Sequence, residues 1–145
     1  MKYILSIIAL LASNAFAAMA LNPDVTQATI DQTICVAGYT KTVRPSVSYT
    51  NGVKRKLLRQ QGIPASDAGL YELDHAVPLT LGGHPRALGN LVLQSWDGPA
   101  GAKVKDKLEP KLSRLVCARK IRLAEAQACI YHDWQACAKK YAKVK

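Results

Sequence analysis

Apolar and polar positions divide the chain into recognisable stretches. Behind Lys2, residues 3–11 (YILSIIALL) are almost wholly apolar and give way to small residues. A cationic start, a short apolar run and Ala-x-Ala endings form the pattern of a secretory signal peptide, with cleavage after Ala17 or after Ala20. The run is too short for the roughly 20 residues that span a bilayer. Residues 1–20 are therefore expected to be removed, leaving one domain, 21–145, with no membrane span. Residues 21–52 mix β-branched residues with Pro23, Pro45 and an Asn51-Gly52 turn signal, which predicts short extended segments. VKRKLLRQQGIP, residues 53–64, predicts a short basic helix closed by Gly62 and stopped by Pro64. Two short strands are expected at Leu70–Leu73 and Leu91–Leu93, around a loop that holds Gly82-Gly83.

The last third of the chain is helical in pattern. Val104, Leu108, Leu112 and Leu115 recur at helical spacing, with Lys103, Lys107, Lys111 and Arg114 forming a basic stripe beside them. Asp106 and Glu109 match a capping box, so the regular helix is expected from Asp106, with Pro110 near enough to its start to be tolerated. A final helix, Leu123–Lys140, carries Leu123, Ala126, Ile130, Trp134, Cys137 and Tyr141 on one stripe, a core face. About 125 mature residues suit a single modest core.

Charge and cysteines narrow the setting. The formal net charge is +10, and residues 101–145 alone hold twelve Lys and Arg against four acids. That asymmetry favours a polyanionic partner: nucleic acid, acidic polysaccharide or an anionic membrane surface. Export would deliver Cys35, Cys117, Cys129 and Cys137 to an oxidising compartment, where disulfides form. No CxxC pair is present to suggest structural zinc. In a continuous helix Cys129 and Cys137 would lie roughly 12 Å apart, beyond the roughly 7 Å limit for a bridge, so a bridge between them requires the helix to break. Cys35–Cys117 is the favoured pair, tying the N-terminal segment to the helices; Cys129 and Cys137 stay open.

The chemistry concentrates in YELDHAVPLTLGGHPRALGNLVLQ, residues 71–94. Strand alternation sends Glu72 and Asp74 to one face and Leu73 and His75 to the other. Adjacent in sequence, Asp74 and His75 cannot simply pair, and they suit separate tasks. A carboxylate is a hard ligand for a divalent cation, and an imidazole with an unperturbed pKa near 6.5 is a general base. The glycines allow the loop to fold back closely, and Asn90 is placed to pin it through its side chain. His84 reads as a solvated loop residue, and His132 as a packing or surface residue of the last helix.

Asp-His, a nearby Pro, Gly-Gly, then Asn-Leu and a following basic helix resemble the HNH (ββα-metal) nuclease motif, over roughly Tyr71–Leu115. The stretches TICVAGYTKTVRP, KDKLEPKLSRLVC and AQACIYHDW are similar to those of small exported bacterial proteins that carry such a motif. The resemblance implies an α+β fold: a ββα-metal unit with an additional C-terminal helix and short N-terminal extended segments, stapled by disulfides. It implies His75 as the general base activating water, Asp74 as a metal ligand and Asn90 as the central residue ordering the loop. It further implies one divalent ion, Mg²⁺ or Mn²⁺ first, with Zn²⁺, Ni²⁺ or Ca²⁺ as alternatives. Lys105, Lys103 and Lys107 would hold backbone phosphates. The helical His or Asn that usually completes the ligand set in these nucleases is missing from SWDGPAGAKVKDKLEP. Glu72, Asp97, Asp106 and Glu109 are the candidates to replace it. The expected function is a periplasmic or secreted bacterial endonuclease of little sequence preference, acting on DNA, with RNA as a further substrate. The alternatives are a non-catalytic nucleic-acid or polyanion-binding module on a degenerate HNH fold, and an envelope scaffold protein.

Overall fold

A computed structural model describes residues 18–144. The expected signal peptide lies almost wholly outside them; of the two cuts, the one after Ala17 would leave Met19 and Ala20 on the mature chain. Ala20 matters to the fold, since its carbonyl accepts the His84 N–H at 2.9 Å. Met19 packs against the core.

The protein is mixed α and β. In chain order come α1 (Tyr39–Val43), α2 (Val47–Gln60), β1 (Tyr71–His75), β2 (Leu91–Ser95), α3 (Ala102–Cys117) and α4 (Leu123–Tyr141), with short 3₁₀ turns between them. The two strands form one antiparallel hairpin in which Asp74 faces Val92 and His75 faces Leu91. Val77 and Leu81 from the hairpin loop join Leu108, Leu112, Leu115, Leu123 and Ile130 in the core beneath it.

The N-terminal part departs from expectation. Where extended segments were expected the chain forms a 3₁₀ turn at Ile30–Gln32, then α1 and the first turns of α2. The extended pairing that does occur is an isolated bridge, Leu21 to Gly83. Asn51-Gly52 lies inside α2, not in a turn. Ser46 explains the earlier start: its Oγ accepts the Tyr49 N–H at 3.3 Å and caps the helix. Burial of Val53 and Leu58 outweighs the cost of about 1 kcal/mol that glycine brings to a helix interior. The helix ends as expected, at Gln60, with Gly62 in the left-handed region at φ +67°.

α3 also begins early, at Ala102 after the Gly101 cap, so Asp106 and Glu109 do not form a capping box. Pro110 is accommodated within the helix. Its buried face runs Ala102, Lys105, Leu108, Leu112 and Leu115, whereas Val104, expected on that face, is exposed. A lysine thus takes an inward position.

Both disulfides form: Cys35–Cys117 at a Cα separation of 5.6 Å and Cys129–Cys137 at 5.4 Å. The second needs the break foreseen above, and Asp133 supplies it. This residue leaves helical geometry (φ −155°, ψ 85°) and its Oδ1 accepts the Ala136 N–H at 2.9 Å, so it caps a restarted helix. Two disulfides, and the lack among the described residues of a helix long and apolar enough to cross a membrane, are compatible with an extracellular or periplasmic protein.

Candidate active site

Asn90 sits just before β2, fully buried. Its Oδ1 accepts the Val77 N–H at 2.8 Å, and its Nδ2 donates to the carbonyls of Val77 at 3.0 Å and His84 at 3.1 Å. Three hydrogen bonds from one side chain thereby close the loop that joins the strands. The loop is so tight that a Cβ on Gly83 would stand 1.7 Å from the Val77 carbonyl oxygen and 2.7 Å from Asn90 Nδ2. Only glycine fits there. His84 is part of the same scaffold: its Nδ1 accepts the N–H groups of Arg86 at 3.1 Å and Ala87 at 3.0 Å. It therefore caps a turn, where a solvated side chain was expected.

The turn delivers the Pro85 carbonyl to His75, whose Nε2 lies 3.1 Å from it. A carbonyl oxygen can only accept, so Nε2 carries the proton and Nδ1 of the neutral ring keeps its lone pair. Burial pushes the His75 pKa below its ordinary 6.5, against the opposing pull of the Pro85 carbonyl and of Asp74. The ring is consequently neutral near pH 7. It lines a cavity of about 270 Å³ shared with Arg44, Thr50, Asn51, Lys54 and Trp96. α2 is fastened to the same loop, through Tyr49, whose hydroxyl donates to the Arg86 carbonyl at 2.7 Å under the Arg86 guanidinium.

The other face of β1 is built differently. Asp74 Oδ1 accepts the His75 N–H at 2.7 Å, and Oδ2 accepts from Lys105 Nζ at 2.6 Å. Lys105, only 2 % exposed, also donates to Glu109 Oε1 at 2.7 Å and to the His75 carbonyl at 3.0 Å. All three ammonium protons are used. Burial pulls the Lys105 pKa down, but Glu109 and Asp74 outweigh it and the group stays charged. Excess acid surrounds the cluster. Burial, then repulsion from Asp74, Asp106 and Glu109, raises Glu72 from 4.5 to about 7, and its Oε2 is buried without a hydrogen-bond partner. Burial raises Glu109 despite Lys105, and burial with Asp74 raises Asp106.

Of the residues expected in the site, Asp74, His75, Asn90, Lys105 and Glu109 come together, with Glu72 and Asp106 close enough to couple electrostatically to Asp74. Lys105 cannot hold phosphate as expected, because it is buried and its protons are taken. Lys103 pairs at the surface with Asp97, and Lys107 is exposed. Both oxygens of Asp74 are engaged, one by a backbone N–H and the other by an ammonium whose charge opposes the divalent ion expected there. As arranged, the side chains do not fit that ion.

Sequence reasoning missed the cations that do reach His75. Arg44 lines its cavity, and so does Lys54, which also donates to the Tyr71 carbonyl at 2.7 Å. The Lys54-Arg55-Lys56 run was visible as a basic helix, but nothing in it announced that α2 would lie over β1. Comparison of the chain with protein-family models, with curated proteins and with solved structures found no match.

Proposed function

We propose that the chain is an exported nuclease that hydrolyses phosphodiester bonds of DNA, and of RNA, with little sequence preference. The observation that carries this reading is the state of His75: a neutral imidazole, its proton fixed on Nε2 by the Pro85 carbonyl, lining a cavity with Arg44 and Lys54. Nδ1 takes a proton from water as the water oxygen adds to phosphorus and the P–O3′ bond breaks. The products carry 5′-phosphate and 3′-hydroxyl ends, the 3′ oxygen taking up a proton from solvent. Arg44 balances charge on the phosphate, and Asn90 keeps the loop that orients the imidazole. Phosphate contacts of this kind read no sequence. The hairpin with α3 behind it has the order of the ββα unit named above, which supports the same reading. The divalent ion implied by that resemblance is assigned no step, since an ammonium stands at Asp74.

That ammonium also favours a second reading, a basic module that binds nucleic acid on the same fold without cutting it. The two separate in one assay. Mature protein is incubated with supercoiled plasmid and with single-stranded RNA, in Mg²⁺, in Mn²⁺ and in chelator. Cleavage is expected, with a loss of about 10²- to 10⁴-fold in His75→Ala while salt-dependent binding persists. Binding with no cleavage under any condition would establish the second reading instead.

A further inference from the structure

We propose that the Lys105 ammonium is a built-in cation filling a latent divalent-metal site between β1 and α3. Wild-type protein then takes no Mg²⁺ or Mn²⁺ at Asp74, and shortening this one side chain uncovers a site made of Asp74, Glu109 and the His75 carbonyl.

Three observations combine. First, oxygens from two separate elements converge on one point: Asp74 Oδ2 and the His75 carbonyl from β1, and Glu109 Oε1 from α3, at 2.6, 3.0 and 2.7 Å from Nζ. An ion of the size of Mg²⁺ takes such oxygens at about 2.0–2.1 Å, a contraction of about 0.5–1 Å from the spacing around the ammonium. Second, Lys105 is 2 % exposed and spends its last N–H on a backbone carbonyl, so an entering ion would have to expel the whole side chain. A tethered cation has no dissociation step and holds the position against millimolar metal. Third, two carboxylates, Asp74 and Glu109, close on this one ammonium, so a dication matches the local charge better than a monocation once Lys105 is gone.

The inference goes beyond the nuclease reading and does not depend on it, since it concerns ion binding and not cleavage. Melting temperature and Mn²⁺ titration calorimetry are measured on mature wild type, Asp74→Asn, Lys105→Ala and Lys105→Ala with Asp74→Asn. Wild type should melt within about 1 °C in chelator and in millimolar Mn²⁺, with no heat of binding. Lys105→Ala should melt lower in chelator and rise by about 5 °C or more in Mn²⁺, a gain that the added Asp74→Asn removes. Folding of Lys105→Ala in Mn²⁺ alone would count in favour. Mn²⁺ binding by wild type that Asp74→Asn abolishes would overturn the proposal, and so would a folded Lys105→Ala indifferent to Mn²⁺. Should Lys105→Ala fold in neither buffer, the wild-type titration decides alone.

Discussion

The two faces of β1 use neighbouring residues in opposite ways. On one, His75 keeps an open lone pair and lines a cavity with exposed Arg44; on the other, Asp74 has both oxygens satisfied and meets a buried, saturated lysine. One face borders a cavity. The other is built to stay as it is. A pair that looks in sequence like an acid–base couple is thus a cavity-lining group and an ion-paired one, held apart by the pleat of a single strand.

This contrast sets the order of expected effects. The largest loss of stability belongs to the closed face: Lys105→Ala in chelator leaves buried Asp74 and partly buried Glu109 without their partner, an expected cost of about 3–5 kcal/mol, measured by urea unfolding. A cost below about 1 kcal/mol would mean the cluster is solvated and the contrast false. Asn90→Ala comes next, at about 2–3 kcal/mol, because Val77 and His84 lose buried hydrogen-bond partners. It should also lower cleavage, since the freed loop carries the Pro85 carbonyl that orients His75; unaltered cleavage in a destabilised Asn90→Ala would detach the loop from the chemistry.

On the open face, Arg44→Ala should reduce cleavage about tenfold, and leave the unfolding midpoint nearly unchanged because the side chain is exposed. The smallest effect lies between the faces, at Glu72, which is only partly buried, so that solvent screens much of its shift. Its folded pKa of about 7 stands above the ordinary 4.5, so folding favours the protonated form, and stability falls as pH rises from about 4.5 through 7. Glu72→Gln should remove the Glu72 share of that fall and leave those of Asp106 and Glu109. Melting curves of both proteins across this range should therefore separate progressively, with the variant the more stable above pH 7.

Much of the open face was legible in the sequence. Alternation along Tyr71–His75 separates Asp74 from His75, and Gly82-Gly83 with Asn90 describe a loop folded tightly and fastened by a side chain; each cue is local, a matter of a few neighbouring residues. Cys35–Cys117 and the condition on Cys129–Cys137 were equally accessible, since bridge geometry is fixed by covalent chemistry. The closed face was not legible. A lysine in a basic helix reads as solvated, and nothing near Lys105 shows that Asp74, 31 residues earlier, will meet it in the interior. The same limit hid Asp133, a helix breaker whose role depends on the disulfide around it, and α2, whose glycine is overruled by burial of Val53 and Leu58.

The most direct test of the open face is the pH dependence of cleavage under single-turnover conditions, for wild type and His75→Ala. With the neutral imidazole in its proposed role as base and its pKa lowered by burial, the wild-type rate should rise with pH through a pKa below 6.5 and then level off, and the variant should lose that limb together with most of its rate. A His75→Ala protein that cuts at the wild-type rate with the same pH profile would contradict the role assigned to His75.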